Sequence, residues 1–101
     1  MVNKVFLIGK VTKIPVLTYW EKDKKPLAVL KFEIETNGNK TGVTDIHEIT
    51  AFADEAERVA VIPIAEGDFL VIDGRLKSKI KNNQRVHEIY ARSVEKMEVS
   101  K

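Results

Sequence analysis

Between Gly74 and Val86 the chain reads GRLKSKIKNNQRV. A basic side chain stands at every second position, Arg75, Lys77, Lys79 and Lys81, and a fifth cation follows at Arg85. No acid lies between positions 75 and 85. Residues two apart share one side of a β-strand, because successive Cβ atoms alternate across it. Cations in such a row either guard a sheet edge against unwanted pairing or follow the phosphates of a polyanion, with an affinity that falls steeply with salt. Leu76 and Ile80 occupy the alternate positions and are expected to pack inward, fixing the cations on the other side.

Few other residues suggest chemistry. Asp54, Glu55 and Glu57 cluster, but acids at a helix start are accounted for by capping and the helix dipole. His47 and His87 are the only histidines and cysteine is absent, so no metal-ligand set, disulfide or thiol nucleophile is indicated. Phosphate-binding loops and catalytic triads are likewise missing, so neither an enzyme nor a cofactor is expected. His47, on the same apolar side as Ile49 and Ala51, reads as a buried or interface histidine. Phe52 is either a core residue at the end of a strand or a platform for stacking. Trp20, beside the charged segment EKDKKP, is either a hydrophobic lid or a second such platform. Asn3, Lys4, Lys10 and Lys31 are polar or basic positions on the first two strands and fit, as a group, the same face. Glu48 shares a strand side with Phe52 and opposes a phosphate track there unless a lysine pairs with it.

These residues need a scaffold, and the chain of 101 residues is long enough for one domain, 1–101. The opening apolar run is too short for a signal peptide and nothing approaches a membrane span, so a cytoplasmic protein is expected. The net charge of +2 hides a strong segregation. Residues 1–31 carry seven basic and two acidic side chains, 32–68 two and nine, and 69–101 eight and four. If the two basic ends fold together, one face is strongly positive.

Alternation predicts five strands. The first, NKVFLIGKVTK, sets Val5, Leu7, Gly9 and Val11 against Phe6, Ile8 and Lys10. Both sides begin apolar, which suits burial on both sides, as in a strand paired across a dimer interface. Gly9 marks a bulge or bend, Pro15 ends regular pairing, and residues 21–26 form a charged loop. The second strand is LAVLKFEIET, and NGNKTG turns it into the third, VTDIHEITAFA. DEAERVAVI is the one helix, with Asp54 as N-cap and Glu57 completing a capping box. The fourth strand, FLVIDGRLKSKI, leads through KNNQ into the last. Five short bent strands with a short helix between strands 3 and 4 describe an all-β OB-fold, a small partly open barrel; an open sheet packed on one helix has the same periodicity.

At the level of motifs the chain resembles the bacterial single-stranded DNA-binding protein family. VNKVFLIGKVTKIPVLTY is similar to that family's first strand, EGDFLVIDGRLKSK to its fourth, and DIHEITAF to its third. The resemblance implies single-stranded DNA binding with little sequence specificity, in replication, recombination or repair near the nucleoid, by a homo-oligomer, a tetramer or a dimer. It places Phe52 at a stacking position, but Ile46 stands where a Trp is common, and the usual Trp near Ile80 and Lys81 is missing. The chain stops at Lys101, where the family continues into a linker and an acidic tip that recruits replication or repair proteins. In this it is similar to primosomal replication protein N, a dimeric relative, so a primosome-accessory or phage-type protein is an alternative. RNA-binding or protein-binding OB modules are further ones.

Overall fold

The computed structural model describes residues 1–37 and 42–98. Five strands and one helix follow in the order β1 (Val5–Lys22), β2 (Lys25–Asn37), β3 (Thr44–Phe52), α1 (Ala53–Ala60), β4 (Phe69–Lys81) and β5 (Gln84–Lys96). The strands close into a barrel in the order β1-β2-β3-β5-β4, which establishes the OB-fold over the open sheet.

Closure depends on β1 being shared between two partners. Its first half pairs with β4, from Val5↔Gly74 to Lys10↔Phe69, and from Lys10 onward it pairs with β2. At the crossover a Cβ on Gly9 would lie 2.7 Å from the Glu35 carbonyl oxygen, so only glycine lets the strand change partners there. The register slips between Val11 and Val16, around Pro15, and then pairing resumes. Pro15 therefore interrupts the ladder without ending the strand.

The charged loop expected at 21–26 is a tight hairpin instead. Pairing continues to Lys22↔Lys25, and only Asp23 and Lys24 turn, at φ 52° and 63°. Positive φ at both central residues matches the twist of the flanking strands. The β4–β5 hairpin uses Asn82 and Asn83 in the same way, at φ 52° and 61°. Residues 38–41 of the NGNKTG turn lie outside the described residues; β2 and β3 pair antiparallel up to Asn37↔Thr44.

The core holds Val11, Leu30, Phe32, Ile34, Ile49, Leu70, Ile72 and Val94, the inward members of alternating strands. Helix α1 closes one end with Ala56 and Val59, three residues apart on one face. The expected capping box does not form. Phe52 is the N-cap and provides no side-chain bond, and Ala53 adopts φ 55°. Glu55 and Arg58 anchor the helix by a different route: the Val94 N–H donates to Glu55 Oε2 at 2.9 Å, and Arg58 Nη2 donates to the Val94 carbonyl oxygen at 2.6 Å. The carboxylate thus satisfies a β5 donor near the bulge at Asp73/Gly74.

Candidate nucleic-acid interface

All five strands contribute to one outward face. In β1 and β2 the pair Trp20↔Leu27 and the neighbours Val29 and Lys31 point outward; in β3 these are Glu48, Thr50 and Phe52, with Phe52 opposite Val29 and Thr50 opposite Lys31. The parallel contact Thr50↔Tyr90 extends the face to β5, and Arg75↔Tyr90 carries it to β4.

Three aromatic rings run across it. Phe52 meets Trp20 edge-on with ring centroids 6.2 Å apart, and Tyr90 edge-on at 4.9 Å. Lys31 Nζ lies 5.4 Å from the Trp20 ring and the Arg75 guanidinium 5.4 Å from the Tyr90 ring, so each outer ring carries a cation. Val29 is completely buried although it lies on the outward side, opposite Phe52. Phe52 is half-buried, whereas Trp20 keeps 48% of its surface exposed and sits on a paired strand rather than in a loop.

Beyond residue 74, β4 has only β5 as a partner, and the two strands leave the barrel as a two-stranded arm. This explains two departures from the sequence reading. Leu76 and Ile80 do not pack inward: they are 43% and 59% exposed, because the core they alternate toward ends at Gly74. Arg85 lies opposite Ile80 and donates to Ser78 Oγ at 3.0 Å, on the other side of the arm from the lysines.

Arg75, Lys77, Lys79 and Lys81 do share one side. That side, however, is not free of acid, because the hairpin folds Glu88 back opposite Lys77. Glu88 Oε1 stands 3.1 Å from Lys79 Nζ and accepts from the Tyr90 hydroxyl at 3.3 Å. The hydrogen bond to Glu88 raises the Lys79 pKa, with Glu88 and Glu48 adding their charge. Burial disfavours ionised Glu88, but Lys79, the Tyr90 hydroxyl and the Lys31 charge outweigh it, and its pKa falls. Lys77 and Lys81 make no ion pair among the described residues.

The remaining predicted residues lie just before β1 or in its first half. The Asn3 amide clamps β4, donating to the Leu76 carbonyl at 2.8 Å and accepting from the Leu76 N–H at 2.9 Å. It takes the place of a strand partner just before β1 begins. Lys4 pairs with Asp73 and Lys10 with Glu35, each at 3.4 Å. The structure thus brings Trp20, Lys31, Phe52, Arg75, Lys77, Lys79 and Lys81 onto one continuous face. Asn3 is engaged on β4, Lys4 and Lys10 carry surface ion pairs, and Arg85 lies on the other side of the arm. Tyr90, the central partner of Phe52 and Arg75, escaped the sequence reading, although counting outward from Asn82–Asn83 pairs it with Arg75.

Next to the face, β3 and β5 pair over only two residues before diverging. Between them opens a cleft of about 430 Å³ lined by Ile46, His47, Glu48, Val86, His87 and Glu88. His47 is half-buried and shares a 2.9 Å hydrogen bond with Thr36 Oγ1. Among the described residues no cluster of His, Asp and Glu could hold a metal ion, and no helix is long and apolar enough to cross a membrane.

An OB barrel with aromatic rings set between cations on its outer face is the build of OB-folds that hold single strands by stacking and charge. The chain belongs to the single-strand binding protein family, whose sequence profile matches residues 2–99. Among solved structures, the single-stranded DNA binding protein of Thermus aquaticus superposes with a TM-score of 0.77 at 20% identity, over 96% of this chain and 50% of the other. The SSB domain of a Synechococcus sp. protein superposes with a TM-score of 0.73 at 19% identity, over 93% and 94%. The chain therefore spans half the length of the Thermus aquaticus chain. Curated protein sequences give no match.

Proposed function

We propose that this protein binds single-stranded DNA with little sequence preference on the face centred on Trp20, Phe52 and Tyr90. The observation that carries the reading is the aromatic row itself, capped at one end by Lys31 and at the other by Arg75. Every base has a π-face, so stacking on such rings is indifferent to sequence, and phosphates leaving the row meet Lys77, Lys79 and Lys81. Trp20, with 48% of its surface exposed, is the ring most open to a base.

The same reading makes the protein a cytoplasmic homo-oligomer acting on exposed strands in replication, recombination or repair. Support for assembly lies in the first half of β1. Phe6 and Ile8 are 60% and 48% exposed there, with Phe69 beside them, although the sequence pattern suits burial on both sides. Residues 5–9 also have a strand partner on one edge only among the described residues. A second subunit covering both would satisfy them.

The test is a salt titration of labelled dT-oligomer binding, with rU-oligomer and duplex as competitors. The expected result is micromolar or tighter binding at low salt, a steep decline as salt rises, and weak competition by duplex. A flat salt response, or no binding at low salt, contradicts the reading. Tighter binding of rU would transfer the site to RNA.

A further inference from the structure

The cations of the arm are evenly spaced but not equally available, and Glu88 is the reason. Of Lys77, Lys79 and Lys81, only Lys79 has an ion pair among the described residues, and its partner also accepts from Tyr90. The carboxylate therefore stands between a stacking ring and the lysine row, where a strand passing from one to the other must place its backbone. We infer that Glu88 is an internal competitor for that backbone: it occupies Lys79 and the Tyr90 hydroxyl in the free protein, and a phosphate must displace it to reach them. This inference rests on the single-stranded DNA reading above, and it names what restrains that site.

The consequence is specific because Lys79 must give up an ion pair to meet a phosphate, whereas Lys77 has no ion-pair partner among the described residues. Each phosphate neutralised on a single strand contributes about 0.7 to the slope of log K against log salt whichever lysine meets it, so the two lysines differ in affinity and not in slope. Two lysines two residues apart on one strand side thus differ in how much their loss costs. Glu88 is a positioning residue in this account, holding the Lys79 ammonium and the Tyr90 ring in place before DNA arrives.

The experiment measures dT-oligomer affinity across a salt series for the full chain and for Lys77→Gln, Lys79→Gln, Glu88→Gln and the Lys79→Gln/Glu88→Gln double variant. Thermal unfolding confirms that each is folded. Lys77→Gln should weaken binding more than Lys79→Gln, because losing Lys79 also removes the ion pair that binding must break, and each should flatten the slope by about 0.7. Glu88→Gln should tighten binding at low salt by roughly two- to five-fold, the scale of an exposed ion pair. In the Lys79→Gln background the gain should vanish. An equal gain in both backgrounds overturns the inference and reduces Glu88 to a general repulsive charge. If neither the parent nor any variant binds, the DNA reading itself fails; binding with the wrong order of affinities removes only the role of Glu88. Should Glu88→Gln unfold, the two lysine variants serve instead: a loss from Lys79→Gln as large as that from Lys77→Gln contradicts the account.

Discussion

The two halves of β4 keep the same alternation and meet opposite fates. In residues 69–74, Leu70 and Ile72 are fully buried against the barrel core; in residues 75–81, Leu76 and Ile80 continue the same side of the strand into solvent. The division falls at Gly74, where β1 stops pairing and β5 carries a bulge. Alternation therefore fixes which side a residue faces, and the length of the neighbouring strands decides whether anything covers it. The first half contributes stability. The second, released from the core, is free to present cations.

The largest expected effect tests that division directly. Ile72→Ala should cost about 2–5 kcal/mol of stability in urea unfolding, as for a fully buried aliphatic truncation. Leu76→Ala, four residues further along the same side, should cost less than about 1 kcal/mol, because nearly half of its surface is already in water. Equal losses would mean that the arm packs against something in solution.

At the junction, a Cβ on Gly74 would collide with the Tyr90 carbonyl oxygen, a backbone atom that cannot swing aside. Gly74→Ala should destabilise by about 1–3 kcal/mol. It should also weaken DNA binding beyond the stability loss, because Arg75 and Tyr90 form the adjacent pair. A variant with the stability loss but unchanged affinity would separate the hinge from the site.

Within the face, rings and lysines should separate by how salt reads them. Phe52→Leu keeps the apolar cover over Val29 but removes the ring, and should lower affinity for dT by about 1–3 kcal/mol with the salt slope intact. A changed slope would assign Phe52 a role in placing the backbone.

The smallest effect concerns the end of the barrel far from the arm. Glu55 is held below its ordinary value of 4.5, chiefly by the Arg58 hydrogen bond, with burial working against this and the Val94 N–H in support. A lowered folded-state pKa gives stability that is present above the unfolded value and lost as pH falls through the folded one. Between about pH 5 and pH 3, Glu55→Gln should therefore lose less stability than the parent, while DNA affinity at neutral pH stays the same. Parallel acid profiles would place the acid sensitivity in other carboxylates.

Much of the architecture was legible because barrel strands with one buried side alternate cleanly. Val11, Leu30, Phe32, Ile34, Ile49 and Ile72 each fall on the side that their pattern indicates. The cation row from Arg75 to Lys81 was legible for the same reason. Pairing between distant segments was not. A polar run gives no sign that Asp23 and Lys24 alone make the turn, so Trp20 read as a loop residue. The capping box failed because the helix starts at Ala53 with Phe52 as its N-cap, which puts Asp54 inside the first turn; Glu55 instead meets a donor in β5, a long-range demand that local spacing cannot reveal. Glu88 and Tyr90 entered the site through the β4–β5 register, which is set by the turn and not by any motif.

Trp20 is the only tryptophan in the chain, so its emission reports on one end of the aromatic row. The decisive measurement follows Trp20 fluorescence during titration with a dT-oligomer at low salt, alongside an independent anisotropy isotherm. The account predicts quenching that saturates at the same oligomer concentration as binding and is reversed by added salt. Tight binding with Trp20 emission unchanged would place the DNA elsewhere on the barrel and contradict it.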